Sequence, residues 1–349
     1  MNFQVIGLNY KSAPISIRER ISFSPGKLYD ALIAFKGYGA IEEAVILSTC
    51  NRTEFYAVTA DAQSGHQAAQ DFLADFHKAP IRFFRNHLYV YNDEEALRHL
   101  FRVAASLDSM VIGETQILGQ VKEAYGKAVE AKSAGKTLSR FFEEAIRLGR
   151  KVHSETKIGR GAVSVSSVAI RLSKEALGTL KDKKVLIIGS GKIAELAARD
   201  LYSQGIRTVV VANRTFAKAK ELASRFRGTA TNLKEIIPCL SRADIVISST
   251  SAPHFLITYQ RMLEVMRLRN HRPLFLIDLG LPRNISPEVK EIENSHLYNL
   301  DDLTSVCDAN LKERLREAAK AEQIIRGRLE ASARELLQFK KESLAESRV

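Results

Sequence analysis

The sequence predicts a multidomain α/β protein in three parts: a compact α+β unit, a doubly wound parallel unit and a long terminal helix. Three observations carry this reading. From Phe3 to Tyr91, β-rich apolar runs and helical periodicity follow one another in the order β-α-β-β-α-β. A buried-type strand, Val185-Leu186-Ile187-Ile188, runs straight into Gly189-Ser190-Gly191 and a helix. From about Asp302 to Leu344 the pattern is that of one long helix. At 349 residues the chain exceeds one typical core, so two or three domains are expected.

In order, Phe3 to Leu8 reads as the first strand. Ser24-Pro25 is a helix start, with Leu28, Leu32 and Ile33 as the buried stripe. Ala44 to Leu47 and Phe55 to Val58 are strands, followed by a helix over about Gln67 to His77 and another β-rich run, Phe83 to Tyr91. Asn92 is placed to cap the next helix, with Glu95 completing a capping box. Ala96, Leu100, Val103, Ala104 and Leu107 make that helix's stripe, and His99 sits beside it.

The segment Leu107 to Val121 breaks the pattern. Ser109, Glu114, Gln116 and Gln120 interrupt an apolar run, which suits either a polar pocket or a helix–loop–helix corner with Gly113 at the break. Helices follow over about Val121 to Lys132, Leu138 to Glu155 and, after Gly159-Arg160-Gly161, from Val163 to Leu177.

The second unit starts near Asp182. Its Gly189-Ser190-Gly191-Lys192-Ile193-Ala194 turn opens the helix Ala194 to Ser203, the strand–turn–helix arrangement that brings a pyrophosphate to a helix N-terminus. The next strand, Thr208 to Ala212, ends in Asn213-Arg214-Thr215. An acidic residue there would mark NAD; Arg214 and Thr215 suit a 2′-phosphate, so NADP is favoured. The unit is thus Rossmann-type. It continues through helix Ala217 to Phe226, strand Ile245 to Ser249, helix Tyr259 to Leu268 and strand Leu274 to Ile277. Leu311, Leu315, Ala318, Ile325, Leu329 and Leu336 stripe the terminal helix, which at full length would reach roughly 65 Å and brace two domains or a partner chain.

Ser48-Thr49-Cys50-Asn51-Arg52-Thr53-Glu54 lies between two strands. A thiolate there is a nucleophile, and an arginine two residues on offers a planar fork for a carboxylate. Cys50 and Arg52 therefore suggest attack on a carboxylate-bearing substrate; a buried structural cysteine beside a surface arginine fits the same residues. Cys50, Cys239 and Cys307 are odd in number and far apart, which excludes a fully paired disulfide framework and gives no zinc-ligand spacing. No apolar run reaches the roughly 18 residues of a membrane span, and the N-terminus has no signal-type core. A cytoplasmic location is expected. The net charge of +12 is compatible with a nucleic acid partner. The densest basic stretch, Lys136 to Arg160, would set Arg140, Arg147 and Lys151 on one helix face, which charge alone reads equally well as a solvated surface.

The cysteine motif, the Leu107-to-Val121 segment and the glycine turn together resemble the glutamyl-tRNA reductase family, closely and over about Met1 to Leu344. Further matching stretches include Gly7-Leu8-Asn9, Arg18-Glu19-Arg20, Ala212-Asn213-Arg214-Thr215 and Leu300-Asp301-Asp302-Leu303. The resemblance implies NADPH-dependent reduction of glutamyl-tRNA to glutamate-1-semialdehyde, a tetrapyrrole precursor. It makes Cys50 the nucleophile with His99 beside it, and sets Thr49, Asn51, Arg52, Ser109, Glu114, Thr115, Gln116 and Gln120 around the glutamyl group. Gly189 to Ala194, with Asn213, Arg214 and Thr215, would hold NADPH. It also implies domains over 1–157 (catalytic), 158–290 (NADPH-binding) and 291–349 (long helix), a V-shaped molecule with a spinal helix, a homodimer through the C-terminal helix, and an aminomutase as partner for the semialdehyde.

Three departures stand out: Tyr10 replaces a usual histidine, Ser106 replaces a glycine, and Val349 falls before most of the usual dimerisation domain, which leads to the expectation of a weaker or different dimer. Two other functions fit the residues: an NADP-dependent dehydrogenase of a small acid with a structural Cys50, and a non-catalytic tRNA- or nucleotide-binding regulator.

Overall fold

The computed structural model describes residues 1–159, 165–206, 208–304 and 311–346. The chain forms two compact units, one of residues Met1–Ala162 with Ala309–Val349, the other of Val163–Asp308.

In the first unit, β1 (Asn2–Asn9), β2 (Ile41–Ser48), β3 (Arg52–Thr59) and β4 (Tyr89–Asn92) form an antiparallel sheet in the order β2-β3-β1-β4. Every residue of the inner strand β3 is buried. Side chains alternate along a strand. Arg52, Glu54 and Tyr56 therefore share one face of β3, while Thr53 and Phe55 share the other. On the Phe55 face, Phe23, Phe35 and Phe72 pack with ring centroids 4.9–6.0 Å from it. Such pairs contribute about 0.5–1.5 kcal/mol each beyond area burial. Phe35 and Phe72 come from helices Leu28–Lys36 and Ala62–His77. Opposite, Tyr56 meets Phe142 of helix Lys136–Glu155 edge-on at 5.1 Å.

Three local expectations are corrected. Ile33 is 51% exposed, and Phe35 takes the core position instead. Phe83 to Tyr91 is not one strand: single turns of 3₁₀ helix at Ile81–Phe83 and Arg85–His87 precede the short β4. Asn92 stands at the N-cap without a side-chain capping bond, because its Oδ1 accepts from Gln4 Nε2 at 2.8 Å.

Helix Leu311–Glu346 belongs to this unit. Ala321, Ile325, Leu329 and Leu336 join its core, whereas Leu315 is 52% exposed. Arg140 grips Glu335 bidentately at 2.8 and 2.9 Å, and Lys340 reaches Asp93 at 2.6 Å. The expected helix start at Asp302 is seen as a separate short helix, Leu300–Thr304; Cys307, the Arg160-Gly161 break and the expected start at Val163 lie outside the described residues.

In the second unit six strands run parallel: β5 (Lys184–Ile188), β6 (Thr208–Asn213), β7 (Thr229–Asn232), β8 (Ile245–Ser248), β9 (Leu274–Asp278) and β10 (Ser295–Asn299). Their order, β7-β6-β5-β8-β9-β10, is that of the dinucleotide-binding doubly wound fold, with its switch point between β5 and β8. The sheet is buried on both sides, so its inner strands are continuous apolar runs.

Candidate active site

Cys50 lies in the hairpin turn between β2 and β3. Thr49 shapes that turn: its Oγ1 accepts from the N–H groups of Asn51 and Arg52 at 3.1 and 3.2 Å. Arg18, 1% exposed, backs it, donating from Nη1 to the Cys50 carbonyl at 2.6 Å. Asn51 is buried and its carbonyl accepts from the Tyr10 N–H at 2.9 Å. The thiol is half-buried. Burial first, then the charge of Glu114, pushes it up to about 11, against the opposite pull of Arg18 and Arg52.

Arg52 is 2% exposed and its fork is already engaged. Nη1 donates to Glu54 Oε1 at 2.6 Å and to Asp108 Oδ2 at 3.2 Å, and Nη2 donates to the Asp108 carbonyl. Arg52 therefore ties the cysteine hairpin to the loop that carries Ser109 and Glu114. Glu54 is fully buried and also accepts from Tyr56 and Tyr89. Its burial is the largest single influence and works against ionisation, but the charge of Arg52 together with His99 and the hydrogen bond from Tyr56 outweighs it and holds the carboxyl well below the usual range. His99 Nε2 meets the same Glu54 Oε1 at 2.8 Å, and its ring packs against those of Tyr89 and Tyr91. The hydrogen bond of His99 thus runs to the Arg52–Glu54 pair, not to the thiol.

Lysine in place of Arg52 keeps the charge and loses the fork. Glu54 and the Asp108 carbonyl are then incompletely paired in a buried site, a cost of about 2–3 kcal/mol. The expected result for Arg52→Lys is a melting temperature lower by about 5–10 °C, in a unit of this size, together with lost activity. An unchanged melting curve would show that Arg52 does not brace the site.

The polar segment is a loop followed by helix Gln116–Glu130. Ser109 is 3% exposed and its Oγ has no hydrogen-bond partner within bonding geometry, although it lies close enough to Glu114 to favour that carboxylate. Burial nonetheless raises the Glu114 carboxyl. Thr115 is the exposed N-cap of the helix. Gln116 and Gln120, both half-buried, stand one turn apart on one face. Tyr10 and Ser106, two of the three expected departures, both hold this loop. Tyr10 Oη donates to the Ser109 carbonyl at 3.1 Å. Ser106, at φ 63°, donates from Oγ to the Glu114 carbonyl at 2.7 Å and lies 3.0 Å from His153 Nε2. Left-handed backbone favours glycine, and these hydrogen bonds offset that preference.

In the second unit Gly189, at φ 111°, leaves β5 so close to β8 that a Cβ would lie 2.2 Å from the Ser249 carbonyl. Gly191 is the N-cap of helix Lys192–Ser203, with open space where a Cβ would point. Ile193 and Ala194 continue its first turn, with Ala194 fully buried against the sheet. Asn213 Nδ2 donates to Ser190 Oγ and its Oδ1 accepts from the Thr215 N–H at 3.1 Å, which links the β5 and β6 rims. Arg214 and Thr215 are exposed at the start of helix Phe216–Ser224. An open helix N-terminus without a side-chain cap, beside exposed Arg214, fits a dinucleotide carrying a 2′-phosphate.

Fold and site together define an oxidoreductase: a thiol site on an α+β unit, in one chain with a dinucleotide-type unit. More particularly, the chain belongs to the glutamyl-tRNA reductase family. The family model for the glutamyl-tRNAGlu reductase N-terminal domain matches residues 6–156, and that for shikimate / quinate 5-dehydrogenase matches 171–306. The chain is 47% identical to a glutamyl-tRNA reductase from Citrifermentans bemidjiense, over 93% of this chain and 75% of that one. It is 45% identical to that of Bacillus subtilis, over 93% and 71%. The solved glutamyl-tRNA reductase of Methanopyrus kandleri superposes with a TM-score of 0.52 at 35% identity, covering 98% of this chain and 82% of that one.

The sequence reading missed Arg18, Glu54 and Asp108 as site residues. Arg18 carried a signal: an arginine flanked by Ile15, Ile17 and Ile21, all buried, has to find partners.

Proposed function

We propose that this chain catalyses the NADPH-dependent reduction of glutamyl-tRNA to glutamate-1-semialdehyde, the entry to tetrapyrrole synthesis, with the glutamyl group carried on Cys50. The observation that carries the reading is a half-buried cysteine on a hairpin braced by Arg18, with the charge of Glu114 acting on its thiol. The resting thiol is neutral and must lose its proton as it attacks. Glu114, the carboxylate whose charge it feels most, is suited to accept that proton. Sulfur bonds to the ester carbon, the ester bond breaks, and the tRNA hydroxyl leaves with a proton. Ser109, buried close to Glu114, and the half-buried Gln116 and Gln120 are the polar groups assigned to the glutamyl group. His99 acts through Glu54 to hold Arg52 and the hairpin in place. NADPH, when bound at Gly189–Ala194 and Arg214–Thr215, supplies the hydride that makes the acyl carbon an aldehyde. Cys50 departs from that carbon as a thiolate.

Incubation with glutamyl-tRNA and either NADPH or NADH tests this. The expected products are free tRNA and semialdehyde, with NADPH preferred. Arg214→Ala should raise KM for NADPH about tenfold, equivalent to about 1.4 kcal/mol, and leave KM for NADH unchanged. Reduction of a small free acid without tRNA would favour the dehydrogenase reading, and equal use of both nucleotides would refute the 2′-phosphate assignment.

A further inference from the structure

Away from the cysteine hairpin, helix Lys136–Glu155 and helix Leu311–Glu346 enclose a groove of about 420 Å³. Glu144, Arg147, Leu148 and Lys151 line one wall, spaced three and four residues apart so that they share a face. Gln323, Gly327 and Arg328 are on the other. Glu144, with 10% of its side chain exposed, sits at the base and orders two guanidinium groups. It pairs with Arg147 at 2.5 Å and also with Arg328. Arg328 also comes within 3.8 Å of Glu335, which Arg140 grips, so three arginines face two carboxylates and positive charge is left over. Lys151 adds to it, with 57% of its side chain exposed and only a 3.9 Å approach to Glu155. Arg147 keeps 53% of its side chain exposed despite its partner.

Gly327 sharpens the reading. It lies inside a helix, where glycine costs about 1 kcal/mol relative to alanine. A Cβ there would meet nothing within 4 Å, so packing does not demand glycine. Its effect is to keep the groove open beside Arg328. A groove with preordered guanidinium forks, an exposed ammonium and an amide suits phosphate oxygens. Cations repeated along a helix face suit successive phosphates rather than a single anion, and the chain's formal charge of +12 favours a polyanion.

We propose that this groove holds the phosphodiester backbone of the tRNA substrate, through Arg147, Lys151 and Arg328. The proposal rests on the tRNA-dependent function above, and uses none of its catalytic residues.

The test is binding of uncharged tRNA across a salt series by wild type, the double variant Arg147→Gln/Lys151→Gln, and Gly327→Glu. The last removes no partner of an observed ion pair and puts a carboxylate into the groove. The double variant should bind about 10- to 100-fold more weakly at low salt, with the slope of log Kd against log salt reduced by about 1.5. Gly327→Glu should also weaken binding. Both should raise KM for glutamyl-tRNA with kcat unchanged. Wild-type affinity and salt slope in both variants would overturn the proposal while leaving the reductase reading standing. Failure of the wild type to bind tRNA at all would overturn both. If inorganic phosphate, at constant ionic strength, binds wild type saturably and not the variants, while tRNA binding is changed neither by that phosphate nor by the substitutions, the groove is a free-anion site and the RNA assignment falls.

Discussion

Cys50→Ser abolishes aldehyde production and leaves the protein folded. The side chain lies in a turn, is half-buried, and its removal breaks none of the hydrogen bonds that shape the hairpin, which come from Thr49, Arg18 and Asn51. A serine hydroxyl is a far weaker nucleophile near neutral pH, and the ester it would form resists hydride. The expected loss is at least about 10³-fold in kcat/KM, or about 4 kcal/mol; near-wild-type production by the serine variant would end the thioester mechanism. The thiol's environment gives a second reading of the same site. With its pKa pushed up to about 11, only about one molecule in 10⁴ carries a free thiolate at pH 7. Alkylation of Cys50 by iodoacetamide should therefore rise about tenfold per pH unit from 7 to 9.5, without a plateau. Glu114→Gln removes the negative charge that raises the thiol, so it should speed alkylation at pH 8. It should at the same time slow acylation by glutamyl-tRNA, because the proton acceptor is gone. A plateau near pH 8.5 in wild type would show a thiol that burial and Glu114 do not control.

What could be read from the sequence was local. The cysteine hairpin was legible because two apolar runs flank a polar heptad, and the nucleotide unit because its inner strands are apolar throughout. Strand β7, Thr229–Asn232, was missed: it is a short edge strand of threonine, alanine and asparagine, and nothing in its pattern separates it from a loop. Strand β10, Ser295–Asn299, was missed for the same reason. Phe83 to Tyr91 was misread because its aromatic residues imitate a strand. Phe84 instead anchors two 3₁₀ turns in the core. The Arg52 fork shows the deeper limit. Its partner Asp108 is 56 residues away, and the hydrogen bond joining His99 to Glu54 spans 45 residues. No spacing rule reports pairs that only the fold brings together. Arg52 was therefore expected to grip a substrate, whereas both of its terminal nitrogens hold the protein's own groups.

The two glycines of the nucleotide turn allow the half-reactions to be separated. Gly189 is needed by the fold, since its backbone is left-handed and a Cβ would strike the Ser249 carbonyl. A substitution there would confuse misfolding with lost binding. Gly191 has ordinary extended backbone, φ −77° and ψ 176°, and open space for a side chain. Aspartate is moreover a favourable N-cap, so Gly191→Asp should leave helix Lys192–Ser203 as stable as before or slightly more so. The same carboxylate would stand where a pyrophosphate must approach, and two anions cannot share one helix N-terminus without repulsion. NADPH binding should fail in a folded protein. Cys50 belongs to the other unit, and its hydrogen-bonding neighbours Arg18, Thr49 and Arg52 belong there with it. Acylation should therefore survive. With no hydride available, water hydrolyses the thioester, and the variant becomes a glutamyl-tRNA esterase that releases glutamate and tRNA without semialdehyde. Wild type without NADPH should do the same. Labelled glutamate release should be measured for wild type without cofactor, for Gly191→Asp, and for Gly191→Asp combined with Cys50→Ser, which should fall to the spontaneous rate. If the first two proteins show no release above that rate, the mass of the intact chain decides between the remaining explanations. An acyl adduct on Cys50 means the thioester is shielded from water. Its absence means that acylation requires bound NADPH and that the two half-reactions cannot be separated.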